Sequence, residues 1–135
     1  MSHLCVNPDG IAVPETYSHV VVAKGTRLVF VAGQVAEDSR GEIVGPGDMV
    51  LQARQAFDNL GRALAAGGAR PDQVTKLTIF VADFRREHLA MIEQGRVALF
   101  GAHKPADTLV GVAMLTRLEY LIEVDAFAVI DDDDA

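Results

Sequence analysis

The segment from Tyr120 to Ile130 constrains the fold more than any other stretch of the chain. Ile122, Val124, Ala126, Ala128 and Ile130 share one face of an extended strand, while Glu123, Asp125, Phe127 and Val129 share the other. A chain carrying such a strand needs a sheet with a defined apolar face and other elements to cover that face.

Those covering elements show a different period. Gly47-Asp48 opens the clearest helix, in which Val50, Ala53, Phe57, Leu60 and Leu64 recur at steps of three and four. Gln52, Arg54, Asp58 and Arg62 take the opposite side, and Gly67-Gly68 supplies residues tolerant of the left-handed conformation at its end. A second helix is expected from about Glu87 to Phe100, capped by Asp83, with Leu89, Ile92, Val97 and Phe100 on its apolar side. Residues 1–16 read as an irregular leader. Tyr17–Ala23 and Leu28–Ala32, separated by Lys24-Gly25-Thr26, suggest a β-hairpin. Glu37–Gly47 reads as a loop or short edge strand; Val74–Val81 and Thr108–Val112 read as strands. The expected order is β-β-α-β-α-β-β, a single α+β domain over residues 1–135 with an acidic tail at 131–135. Two helices cover one sheet face, so association with further copies is the simplest way to hide the other.

Composition narrows the function classes. Twelve Lys+Arg against nineteen Asp+Glu give a formal charge of −7, without a basic stripe. Nucleic-acid binding relies on phosphate neutralisation, so no nucleic-acid partner is expected. No apolar run reaches the length of a membrane span, and Met1 to Asn7 lacks the pattern of a signal peptide; no membrane is expected and the cytoplasm is the default compartment. The single Cys5 cannot form an internal disulfide and falls in the segment read as an irregular leader, so it reads as incidental. His3, His19, His88 and His103 lack ligand spacing, and the Asp131–Asp134 run reads as a solvated tail, so no metal site is expected. Nucleotide and nucleophile-elbow fingerprints are missing, and no cofactor is expected.

Four segments together carry a resemblance: Val31-Ala32-Gly33-Gln34, the helix run Gln52-Ala53-Arg54-Gln55-Ala56-Phe57-Asp58-Asn59-Leu60, the strand Val74 to Asp83, and the strand Ile122 to Val129. In this order and spacing they resemble the Rid family (reactive intermediate deaminases, also called the YjgF or L-PSP endoribonuclease family), from about Tyr17 to Val129. The resemblance implies a chorismate-mutase-like α+β fold, with a mixed sheet and two helices on one face, and a homotrimer with clefts between subunits. In deaminating members an arginine of a Pro-x-Arg motif grips the carboxylate of an enamine or imine, and a glutamate on the last strand positions water. A tyrosine before the first strand and a glycine ending the second line the pocket. Those roles carry over to Glu123 as the catalytic residue and to Tyr17 and Gly33 as substrate-binding residues.

The arginine position does not carry over. Pro105-Ala106-Asp107 places an aspartate there, and no arginine lies between Phe100 and Leu115; Arg117 follows only in the next turn. A guanidinium and a carboxylate at about 4 Å attract by about 4 kcal/mol at an effective dielectric near 20, and two carboxylates repel comparably. Asp107 is thus expected in the pocket but unable to hold a carboxylate substrate in the usual pose. If it met Glu123, repulsion would raise the pKa of one of the pair. Two readings remain: an enamine or imine hydrolase weak on 2-aminoacrylate, or a non-enzymatic trimer binding a small metabolite.

Overall fold

Strand β6 (Ile122–Ile130) lies inside a four-stranded sheet, between β3 (Arg27–Val35) and β4 (Val74–Ala82), both antiparallel to it; β5 (Ala106–Val112) adds in parallel outside β4. This computed structural model describes residues 3–132; Met1, Ser2 and 133–135 lie outside the described residues. The part of the acidic run beyond Asp132 falls there.

The alternation of β6 is realised. Ile122, Val124, Ala126, Ala128 and Ile130 are buried, and Leu77, Ile79 and Val81 of β4 join them on the same face. Helices α1 (Met49–Ala66) and α2 (His88–Phe100) cover that face. The fold class is the expected one: a mixed sheet with two helices on one side.

Helix α1 begins where its cap residue predicts. Asp48 has an extended backbone, and its Oδ1 accepts the Leu51 N–H at 3.1 Å. Gly68, at φ +83, takes the left-handed position beyond the last turn. Phe57, Leu60 and Leu64 are buried as expected, and fully burying side chains of this size contributes roughly 1.5–3 kcal/mol each. Gln52 departs from the expected pattern, being fully buried rather than facing solvent. Its Nε2 donates to the carbonyls of Gly45 and Glu119, and its Oε1 accepts the Leu121 N–H at 2.8 Å. Hydrogen-bonding capacity matched on both ends removes the usual cost of burying an amide.

Helix α2 also differs from its expected face. Leu89 and Val97 are exposed, whereas Ile92, Gly95, Arg96 and Phe100 are buried. The cause is a close helix crossing: a Cβ on Gly95 would lie 2.9 Å from the Ala53 carbonyl group, so the glycine side of α2 is turned onto α1. Arg96, next to Gly95, is carried inward with it. Asp83 does not cap this helix. It sits at φ +49 after β4, five residues before α2 begins, and its N–H donates to Val112 O.

The expected hairpin of the segment 17–23 with 28–32 does not form. Strand β2 (Val20–Ala23) pairs instead with β1 (His3–Val6), from the segment read as an irregular leader, making a separate two-stranded sheet. Between β2 and β3 the chain packs against the end of β6 rather than reversing. Thr26 N donates to Ile130 O at 3.0 Å, and a Cβ on Gly25 would meet that oxygen at 2.5 Å. Asp132, at the start of the acidic tail, is held by the Thr26 hydroxyl and the Arg27 guanidinium.

Replacing Gln52 by leucine should destabilise the fold by about 2–4 kcal/mol, because a buried N–H and two carbonyls would lose their partners. Urea denaturation measures this; a change below about 0.5 kcal/mol would show that the amide clamp carries little of the stability.

Candidate functional site

Gly33 lies where the pairing of β3 with β6 shifts register, between Val31 and Gln34. The missing side chain matters: a Cβ there would lie 1.9 Å from Glu123 Oε2. The glycine therefore leaves the space that the Glu123 carboxylate occupies. Glu123 pairs with Val35 on one side and Phe80 on the other, which puts it on the sheet face away from the helices. There it forms one wall of an open groove of about 410 Å³ with Phe80, Met114, Leu115 and Thr116. Asp125 follows on the same face, opposite Thr78.

Asp107 occupies the other face. It is the β5 partner of Leu77, whose side chain is in the core, whereas Glu123 is the partner of Phe80. Positions 77 and 80 are an odd number of residues apart along one regular strand, so they point to opposite sides. The expectation that Asp107 and Glu123 meet is therefore not met within the chain. Asp107 instead borders a cavity of about 680 Å³ under α2, with Tyr17, Glu93 and Arg96. Burial pushes its carboxyl up from the ordinary 3.8 to about 6, against the opposing pull of Arg96 and Lys76 and with a further push from Glu93. The elevation does not come from Glu123.

Tyr17 reaches this cavity because its neighbour is pinned. Ser18 N donates to Pro105 O, its Oγ donates to Lys104 O at 2.6 Å, and it bridges Ala106 at the start of β5. Tyr17 thus shares a wall with Asp107, while Gly33 is brought together with Glu123. The four expected site residues fall into two pairs on opposite sides of the sheet.

Arg117 is not among the residues that line the cavity at Asp107 within the chain. It is exposed, lies over the Tyr120 ring at 5.6 Å and reaches Glu119. The Tyr120 hydroxyl donates to Glu37, tying the loop after β3 to the turn before β6. The guanidinium near Asp107 is that of Arg96, which reading the sequence around residue 107 overlooked because Arg96 is eleven positions earlier, on a helix. Its signal was present: an arginine placed next to Gly95, the residue of closest helix approach. Cys5 is exposed, and no cluster of three or more His, Cys, Asp or Glu able to hold a metal occurs among the described residues. None of their helices is long and apolar enough to cross a membrane.

The model of the family described as Endoribonuclease L-PSP matches residues 9–130. Among relatives, a RutC family protein of Pyrococcus horikoshii is 34% identical over 113 residues, spanning 83% of this chain and 85% of that protein. A mouse protein named 2-iminobutanoate/2-iminopropanoate deaminase is 35% identical over 104 residues, spanning 76% of this chain and 74% of that protein. In three dimensions the chain is similar to a Rid-family protein of unknown function from Yersinia pestis, with TM-score 0.89 and 34% identity, covering 96% of this chain and 100% of that one. The chain belongs to the Rid/YjgF (L-PSP) family.

Two substitutions test the geometry. Gly33→Ala should leave stability within about 1 kcal/mol of wild type, since the clash is with the movable end of Glu123. A crystal structure should then show the carboxylate swung out of its place; an unmoved carboxylate would contradict the packing described. For Asp107 the pKa is raised on folding, so its contribution to stability is full below about 3.8 and is lost as pH rises through about 6. Asp107→Asn should therefore gain on wild type across that window, by about 1 kcal/mol once solvent screening of the half-buried group is allowed for. Thermal melts at several pH values check this; a pH-independent gap would contradict it.

Proposed function

We propose that the chain is a small-molecule hydrolase of the Rid type, acting on imines or their enamine tautomers at Glu123. The observation that carries this reading is the contact of Glu123 with Gly33, where a side chain is excluded so that a carboxylate stands at the wall of an open groove. In this reading Glu123 accepts a proton from water as the water oxygen bonds to the imine carbon. The C=N electron pair passes to nitrogen, which takes up that proton. The carbinolamine then expels ammonia, leaving the carbonyl product. The mouse relative's name supports the same class of substrate.

Asp107 argues for weak activity on 2-aminoacrylate, since a carboxylate there offers no bidentate partner to the substrate carboxylate. Asp107 and Tyr17 could join Glu123 in one cleft only if different copies of the chain supply them. Leu28 and Phe30 of β3 and Phe127 of β6 are largely exposed on the face without helices, with the two phenylalanine rings 5.3 Å apart. Such a patch favours a homotrimer covering that face, of three times 14.5 kDa, working in the cytoplasm. The separation of Glu123 from Asp107 favours a second reading, a trimer that binds a small metabolite without turning it over.

Ammonia release from freshly generated 2-aminoacrylate separates these readings, with light scattering to report assembly. The expected result is a trimer with turnover far below that of arginine-bearing relatives, and that residue lost in Glu123→Ala. Turnover equal to theirs would overturn the Asp107 argument. A stable monomer at micromolar concentration would overturn the shared cleft. Activity unchanged in Glu123→Ala would remove the hydrolytic role of Glu123.

A further inference from the structure

Along the seam between α1 and α2 the helical layer carries a groove of about 380 Å³, within the size range of small-ligand sites. Phe57 and Gly95 are buried at this seam, and Leu51, Ala98 and Leu99 border it. Its opening follows from residue size, since α2 turns Gly95 and then Ala98 to this side and leaves space beside Leu51 and Leu99. Leu51 is about half exposed there, although the apolar stripe of its helix is buried. The groove shares no lining residue with the wall at Glu123 or with the cavity at Asp107.

Two charged side chains of α1 stand at this groove, Arg54 and Asp58, and they are not partners. Asp58 takes Arg62 instead, whose Nε donates to Oδ2 at 2.9 Å. Arg54 precedes Asp58 by one turn, yet among the described residues it forms no ion pair within 4.0 Å and no side-chain hydrogen bond. The choice has a physical cause. An acid four residues before its base agrees with the helix macrodipole, as Asp58 before Arg62 does; Arg54 before Asp58 has the reverse order and gains less. Gln55 turns its Nε2 to Asn59 Oδ1 at 2.9 Å. The uncommitted cation of the groove is therefore Arg54, set beside apolar surface on a chain whose formal charge is −7.

We propose that this groove binds a small organic monoanion, a carboxylate on a compact apolar body, with Arg54 donating to the carboxylate and Leu51 and Leu99 covering the body. A guanidinium offers a carboxylate two parallel N–H···O bonds, which fixes the orientation of the ligand as well as its charge. Arg62 acts at one remove: by holding Asp58 it keeps Arg54 available. A cation finds no free partner here, because Asp58 is already paired and Arg54 repels it. The site lies on helices α1 and α2 and makes no use of Glu123, so it goes beyond the hydrolytic reading.

Benzoate, benzyl alcohol and benzylamine share one ring and differ in charge. Each is titrated into the full chain near neutral pH and low salt, followed by amide, methyl and arginine Nε–H resonances. Benzoate is expected to bind about fivefold more tightly than benzyl alcohol, with benzylamine weakest. The shifts should fall on Arg54, Ala98 and Leu99, and the advantage of benzoate should shrink as salt is added. Arg54→Gln should bring benzoate down to the level of the alcohol. Arg62→Gln should also weaken benzoate, since Asp58 then turns to Arg54, while Asp58→Asn should strengthen it. Arg54, Asp58 and Arg62 are exposed, so these variants should keep the fold. Ala98→Met should weaken all three probes by filling the groove. Benzylamine binding as tightly as benzoate, full benzoate affinity in Arg54→Gln or Ala98→Met, or shifts located elsewhere would overturn the proposal. Unchanged affinity in both Arg62→Gln and Asp58→Asn would overturn the role of their pair. Glu123→Ala should bind benzoate as wild type does, so failure of the hydrolytic reading and failure of this one are separately visible.

Discussion

Pairing of β6 on both sides, with β3 and with β4, dictates the direction of every side chain in the sheet. Once Ile122, Val124 and Ala126 enter the core, Glu123 and Asp125 must point away from the helices. The same register passes through β4 to β5 and turns Asp107 toward α2. The placement of the two carboxylates on opposite sides follows from strand parity, and no local adjustment within a regular strand could reverse one without the other.

Inside the helical layer two polar side chains occupy positions where apolar ones would be simpler. Gln52 joins α1 to the loop at Gly45 and to the chain entering β6, so the amide helps hold the strand that carries Glu123. Arg96 is buried beside the Gly95–Ala53 crossing and brings Glu93 with it to the wall of the cavity under α2. In both cases the cost of burial is offset by hydrogen bonds of matched geometry. They differ in what they leave behind: Gln52 has each of its polar atoms bonded, whereas the pairing of Arg96 with Glu93 leaves Asp107 at the cavity wall without a hydrogen bond from the guanidinium.

Much of the architecture was legible in the residues. The alternation of β6, the stripe and cap of α1, and the β-branched run of β4 are local patterns, and each yields its element within a residue or two. The hairpin of β2 with β3 was not, because strand-like residues flanking Lys24-Gly25-Thr26 say nothing of which neighbour takes their hydrogen bonds; β1 and β6 took them. The buried face of α2 was misread for a related reason, since hydrophobicity pointed to Val97 while a glycine crossing selected Arg96. Site residues divide in the same way. The need for glycine opposite Glu123 is a contact between strands 90 positions apart in sequence, visible only once β3 and β6 are paired.

By itself the sequence determined the family, the α+β class, the periodicity of the principal elements, and the absence of arginine at position 107. Those are properties of residue type and spacing, which need no partner to be read. Tertiary structure decided which groups meet: Gly33 with Glu123, Tyr17 with Asp107, and Arg96 with Glu93 at the same cavity. Such meetings depend on register, strand parity and the closeness of a helix crossing, and each of these is set by packing between segments rather than within one.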